Sequence, residues 1–90
     1  MAKGEISWRR RNEDGLRVQI YARHLGKQWL FYIRERRFEP WESLVNPPLA
    51  DWLALLDAVR RRIARRLLRP EEADSLKQRI RQHYPEADLP

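Results

Sequence analysis

The chain has 90 residues, a formal net charge of +6 and no cysteine. This length suits one domain with a single hydrophobic core, and the missing cysteines exclude disulfides, thiolate metal sites and thiol nucleophiles. The first residues lack the apolar segment of a secretory signal, and no stretch approaches the roughly 20 apolar residues of a membrane span. We therefore expect one domain over residues 1–90, soluble and cytoplasmic, with no membrane contact.

The charge is unevenly distributed along the chain. Residues 1–37 and 58–69 carry an excess of Lys and Arg, whereas residues 38–57 and 70–90 carry an excess of Asp and Glu. Ion pairs between these blocks would neutralise much of the charge within the fold. Without such pairs, the basic blocks would present arginine to an anionic partner. Arginine suits bidentate recognition of phosphate or carboxylate.

The first predicted element is a strand over residues 5–11, where apolar and polar side chains alternate. The next residues, Asn12–Gly15, are typical of a hairpin loop in which a type I turn is closed by a glycine in the left-handed conformation. Counting outward from this turn places Trp8 opposite Ile20, so that apolar side chains face each other.

Two further strands are predicted over about residues 16–23 and 28–34, joined by a reversal around His24–Lys27. A loop of even length pairs Ala22 with Trp29 and keeps the apolar side chains of both strands on one face. A slip of one residue would invert a whole strand, so the agreement across two turns favours an antiparallel meander.

The polar face of this meander is the main functional lead. Arg11, Arg17 and Arg34 are expected to form one cross-strand row, and like charges on neighbouring strands are unfavourable unless a carboxylate or an external anion compensates them. The same face carries Arg9, Tyr21, Arg23 and Tyr32. Arginine beside tyrosine can hold phosphates and stack on unpaired bases.

Two alternatives would leave this polar face without a function. Acidic residues of the same region could neutralise the row of arginines, or the rest of the chain could cover the tyrosines. The candidate acids are Glu5, Glu13, Asp14 and Glu35.

A packed connection over about residues 35–48 follows, with room for a short fourth edge strand, and its aromatic residues Phe38 and Trp41 are expected to cap the core. Apolar residues at spacings of three and four then predict a helix over about residues 48–68. Pro70 is well placed to begin a second helix, which the apolar pattern extends to about residue 84.

Four arginines lie on one exposed side of the first predicted helix: Arg61, Arg62, Arg65 and Arg69. They could contact phosphates, or form an ordinary solvated surface near a helix C-terminus, where the helix dipole favours cations. Asp57 is spaced to pair with Arg61. Arg60 falls within the apolar stripe, where a structural ion pair is expected.

The predicted fold is therefore α+β, with an antiparallel three-stranded meander packed on two C-terminal helices in the order β-β-β-α-α. Residues 1–4 and 86–90 are expected to be disordered.

Neither a catalytic nor a metal site is predicted. His24 and His83 are not placed together, and no metal-ligand spacing, phosphate loop or nucleophile motif occurs. A small basic ribonuclease that uses arginines and one histidine is left open. We expect a non-enzymatic domain that binds DNA or RNA phosphates through arginines, without a cofactor or a small-molecule ligand. The alternative is a protein-interaction module or homodimer that contacts its partner through Tyr21, Leu30 and Tyr32.

Overall fold

The computed structural model of the protein describes residues 5–26 and 28–90, so the expected disorder of residues 1–4 lies outside the described residues. Four antiparallel strands form one sheet in chain order, and two helices follow. The elements are β1 (Glu5–Arg11), β2 (Arg17–Leu25), β3 (Gln28–Arg34), β4 (Glu42–Ser43), α1 (Leu49–Ala64) and α2 (Glu71–His83). This confirms the α+β class, the meander and the short fourth edge strand.

The chain divides into two compact units, Met1–Asn46 with the sheet and Pro47–Pro90 with the helices. Within the described part of the chain, neither helix is long and apolar enough to cross a membrane.

The first hairpin has the predicted turn and register. Gly15 adopts a φ of +80° and its N–H donates to the carbonyl oxygen of Asn12 at 3.0 Å. The side-chain oxygen of Asn12 also accepts the backbone N–H groups of Asp14 and Leu16. These bonds fix the reversal, and Trp8 faces Ile20 as expected.

The second hairpin departs from the predicted register. Ala22 faces Phe31, and Trp29 lies opposite His24 instead of Ala22, a shift of two residues. Leu25 pairs with Gln28, so the loop is shorter than the expected four-residue reversal. Gly26 adopts a φ of +62°, as a tight hairpin loop requires. Lys27 lies outside the described residues. Because the shift is even, every side chain keeps its expected face.

The buried side chains of the sheet all lie on its apolar face. Five of them are at most 5% exposed: Ile6, Val18, Ile20, Ala22 and Phe31. On the same face, Trp8 packs edge-on against Phe31, with ring centroids 6.1 Å apart, and His24 stacks on Trp29 at 4.4 Å. Alternation in the three long strands therefore produces the apolar face that the sequence predicts.

The connection after β3 does not place its aromatic residues over the core, so that expectation is wrong. A β-turn at its start is closed by a hydrogen bond from Glu39 N–H to the Arg36 carbonyl, and an ion pair joins the two side chains at 3.9 Å. This turn presents Phe38 to solvent with 95% of its surface exposed. Trp41 instead packs against residues of the polar face.

Helix α1 ends at Ala64, before the predicted end at residue 68. Arg66 adopts a left-handed φ of 62°, and the N–H of Leu67 donates to the Arg62 carbonyl at 2.8 Å while that of Arg66 donates to Ile63. These bonds form a Schellman motif, which satisfies the last carbonyl groups of the helix. The chain then turns into α2, which starts at Glu71 directly after Pro70.

The two helices pack against each other through apolar side chains. The most deeply buried of these are Trp52, Leu55, Leu56, Val59, Leu76 and Ile80, each at most 4% exposed. The ring of Trp52 stacks on His83 at 5.2 Å, and the hydroxyl of Tyr84 donates to the Pro47 carbonyl. Arg60 donates to the main-chain oxygen of Pro90.

The candidate binding face of the sheet

The polar face of the sheet is organised by the register of its strands. The pairs across β1 and β2 are Arg11 with Arg17, Arg9 with Gln19, Ser7 with Tyr21 and Glu5 with Arg23. Strand β3 adds Arg34 beside Gln19, Tyr32 beside Tyr21 and Leu30 beside Arg23. The predicted row of three arginines is therefore wrong, because the shift of β3 moves Arg34 away from Arg17 and beside a neutral amide.

Two contacts fix the position of Arg34. Its Nε donates to the side-chain oxygen of Gln19 at 2.7 Å, and its guanidinium lies 4.1 Å from the ring centroid of Trp41. A guanidinium over an indole face gains cation–π attraction in addition to its hydrogen bond. Arg34 is thus a half-buried side chain that supports Trp41.

Three aromatic rings, those of Tyr21, Tyr32 and Trp41, form an aromatic cluster on this face. The two tyrosines stack with their centroids 4.7 Å apart, and Trp41 meets Tyr21 at 4.7 Å with an angle of 77° between the ring planes. All three side chains are half-buried. The cluster thus covers part of the polar face and leaves part of each residue's surface exposed.

The sheet register also explains why Trp41 joins the polar face. Strand β4 pairs with β3 so that Glu42 lies opposite Ile33 and Ser43 opposite Tyr32. Side chains alternate between faces along a strand, so Trp41 shares a face with Ser43 and comes beside Arg34. Sequence reasoning did not place Trp41 on this face, because β4 has only two residues and its alternation is too short to detect.

The cluster changes the acidity of one of its members. Burial raises the pKa of the Tyr21 hydroxyl above its ordinary value of 10.0, and the neighbouring Tyr32 and Glu5 raise it further, while Arg23 opposes them. At neutral pH the hydroxyl is therefore protonated and can donate a hydrogen bond.

Three exposed arginines, Arg9, Arg17 and Arg23, are named here the sheet arginines. No carboxylate within residues 5–26 and 28–90 forms an ion pair with any of them. The alternative in which nearby acids neutralise the predicted row of arginines is therefore not found for its member Arg17 among the described residues. Arg11, opposite Arg17, directs its guanidinium to the Gly15 carbonyl at 2.8 Å.

A cleft of about 290 Å³ opens beside the aromatic cluster. It is lined by Glu5, Ile6, Ser7, Tyr21 and Trp41. Strand β1 supplies one wall and the two aromatic residues supply another, so the cleft combines ring surfaces with a carboxylate and a hydroxyl.

The helix arginines, Arg61, Arg62, Arg65 and Arg69, are arranged differently from the prediction. Arg61 pairs with Asp57 at 2.8 Å, as expected, and both side chains are exposed. Arg61 and Arg62 lie in the last turn of α1, Arg65 follows as the C-cap, and Arg69 comes after the left-handed residue Arg66. The helical spacing that was expected to align all four therefore does not extend to Arg69.

Comparison with family models, with curated proteins and with solved structures finds no significant match for this chain. In the part of the chain that the structure describes, there is no group of three or more metal-ligating side chains that could hold a metal ion. The functional inference therefore rests on the polar face and its contacts.

Proposed function

We propose that the protein is a small, non-enzymatic domain that binds nucleic-acid phosphates through the polar face of its sheet. The observation that carries this proposal is the set of sheet arginines, exposed on one face and forming no ion pair among the described residues. They stand beside the aromatic cluster, which can stack on bases.

The chemistry of the sheet arginines favours a polyanion. A guanidinium is always charged, and its planar fork matches the oxygen atoms of a phosphate. Arg9, Arg17 and Arg23 come from two neighbouring strands, where successive residues on one face are roughly 7 Å apart along the strand. Several charges spaced along one surface suit a chain of phosphates. The cytoplasm, which we propose as the location, supplies such chains as RNA and DNA.

A binding assay titrated with salt tests the proposal. If three phosphates are neutralised, the logarithm of the binding constant should fall with the logarithm of salt concentration with a slope of about −2 for single strands and about −3 for duplexes. Fluorescence anisotropy with labelled single-stranded and double-stranded DNA and RNA measures this slope. Undetectable binding to all four at low salt would contradict the proposal.

Charge reversal locates the binding surface. The double substitution Arg17→Glu and Arg23→Glu should weaken binding by at least about tenfold, because two phosphate contacts become repulsive. The matched control is Arg79→Glu with Arg81→Glu in α2, which makes the same change in net charge outside the sheet. An equal loss in both variants would show that net charge alone accounts for binding.

A second candidate function is association with another protein, and the exposed side chain of Phe38 favours it. This ring is 95% exposed on a turn closed by a backbone hydrogen bond and an ion pair, and Val45 is 80% exposed. A large, solvent-exposed aromatic side chain is typical of a residue that anchors a protein–protein interface. Light scattering would detect a dimer, and Phe38→Ser should abolish it while leaving nucleic-acid binding unchanged.

A further inference from the structure

The cleft beside the aromatic cluster has the form of a site for one planar ring. Tyr21 and Trp41 both line it and meet at 77°, so their rings form a corner. A flat ligand in this corner can stack on one ring and meet the other edge-on, which are the two favoured aromatic arrangements. The cleft volume of about 290 Å³ is close to the lower limit for small-molecule pockets, so the cleft suits a single base.

Both ring walls of the cleft are held by neighbouring side chains. The Arg34 guanidinium lies 4.1 Å from the ring centroid of Trp41, and its Nε donates to Gln19 at 2.7 Å. The ring of Tyr32 stacks on that of Tyr21, with the centroids 4.7 Å apart. Rings that are already fixed lose little conformational entropy when a ligand stacks on them. The cleft is therefore preorganised for a flat ligand.

Positive charge lies on both sides of the cleft along the sheet. In the β1–β2 ladder, the cleft-lining pair of Ser7 and Tyr21 forms one row of the polar face. The adjacent row on one side contains Arg9, and the adjacent row on the other side contains Arg23. Such rows are roughly 7 Å apart, and both arginines are exposed and form no ion pair among the described residues. A strand whose phosphates bind these two arginines places the base between them over the cleft.

The polar lining of the cleft does not select one base. Glu5 already takes part in an interaction within the protein, so the contacts to the ligand do not depend on its carboxylate. Ser7 and Tyr21 contribute hydroxyl groups, which can each donate or accept a hydrogen bond. Stacking tolerates every base, because all bases have an aromatic face. The site therefore distinguishes an unpaired base from a paired one, and not one base from another.

We propose that this cleft binds one unpaired base of a single-stranded nucleic acid, whatever the identity of the base. The base stacks in the corner formed by Tyr21 and Trp41, while Arg9 and Arg23 hold the flanking phosphates. In a duplex the same base is paired and enclosed between stacked neighbours, so it must first be extruded at a cost in free energy. This inference rests on the proposed function, because the sheet arginines bring the strand to the cleft.

The test compares an oligothymidine with an abasic strand of the same length, which has the same phosphates and no bases. The wild-type protein should bind the oligothymidine about tenfold more tightly at equal salt concentration, the effect expected of one base–aromatic stack. Ser7→Leu fills the cleft from an exposed position of β1 and should reduce this ratio to less than about twofold. The affinity of Ser7→Leu for the abasic strand should equal that of the wild type, which shows that the variant is folded and that its arginines are available.

Two further variants and one further strand sharpen this test. Ser75→Leu is the matched control, because it makes the same substitution at an exposed position of α2, and it should keep the tenfold ratio. Trp41→Ala removes one wall of the cleft and should lower the ratio as Ser7→Leu does. Oligodeoxycytidine should bind the wild-type protein within about threefold of oligothymidine, because stacking is tolerant of the base.

The outcomes separate this inference from the proposed function. Equal binding of the oligothymidine and the abasic strand by the wild-type protein would overturn the base site and leave phosphate binding in place. A tenfold ratio that survives Ser7→Leu would also overturn it, since the base would then bind outside the cleft. A tenfold difference between oligothymidine and oligodeoxycytidine would contradict the acceptance of any base. If neither strand binds at low salt, both the base site and the proposed function fail.

Discussion

The sheet arginines and the helix arginines have the same charge in very different surroundings. The sheet arginines lie beside an aromatic cluster and form no ion pair within the described ranges. Of the helix arginines, Arg61 is already paired with Asp57, and the helix ends before Arg69, which therefore falls outside the helical spacing. The comparison shows that arginine content alone does not identify a binding surface. The register of the backbone and the available partners decide which arginines can meet an external anion.

The substitution Trp41→Ala is expected to have the largest effect on nucleic-acid affinity. Removing the indole takes away one wall of the cleft, and a base–aromatic stack contributes about 1–3 kcal/mol to single-strand affinity. Anisotropy should therefore show a loss of roughly tenfold or more for single strands and a smaller loss for duplexes. Phe38→Ala is the control, because this exposed aromatic residue lies outside the cluster. Equal losses of affinity for both substitutions would show that the aromatic cluster does not contact the nucleic acid.

A smaller effect is expected from Arg34→Lys. Lysine keeps the charge but loses the planar contact with Trp41 and the Nε hydrogen bond to Gln19, which together contribute about 1 kcal/mol to the free energy of unfolding. Urea denaturation measures the change. Arg23→Lys is the matched control, and we expect less than about 0.5 kcal/mol there because that side chain is exposed. Equal values for the two would mean that Arg34 does not support the cluster.

The pH dependence of stability tests the environment of Tyr21. The folded-state pKa of this hydroxyl is raised above 10.0, so above that pH the unfolded chain loses the proton more readily than the folded one. The free energy of unfolding should therefore fall as pH rises above about 10, and it should be unaffected by this group below that range. Thermal unfolding of the wild type and of Tyr21→Phe measures the difference. A decline of the same steepness in Tyr21→Phe would contradict the assignment.

The smallest effect is expected from Asp57→Asn, which removes the carboxylate paired with Arg61. An exposed pair of this spacing contributes about 0.3–0.5 kcal/mol to the free energy of unfolding, so thermal stability should fall only slightly. If the sheet carries the binding, nucleic-acid affinity should rise by less than about twofold, since only one charge changes and it belongs to α1. A tenfold rise in affinity would show that the helix arginines contact the nucleic acid.

The two hairpins show how far sequence reasoning could go. Asn12 and Gly15 are specific for one turn geometry, so the first register could be predicted residue by residue. Around Gly26 the sequence allowed a loop of two residues or of four, and both keep the apolar side chains on one face. Alternation therefore predicted the faces correctly but could not fix which residues are neighbours across the strands.

Two other features depend on contacts that the sequence pattern does not reveal. Arginine is uncommon in the left-handed conformation, so nothing at Arg66 predicted the end of α1. The position of Trp41 depends on the pairing of β4, which has only two residues and too short an alternation to detect. The end of α1 and the aromatic cluster therefore needed the structure, whereas the α+β class did not.

The most direct test of the central claim compares two triple substitutions that remove the same charge. One changes Arg9, Arg17 and Arg23 to Gln in the sheet, and the other changes Arg61, Arg65 and Arg69 to Gln at the end of α1. The salt dependence of single-strand binding should lose about two units of slope in the sheet variant and less than about one in the helix variant. Equal losses, or a larger loss in the helix variant, would contradict the assignment of binding to the polar face.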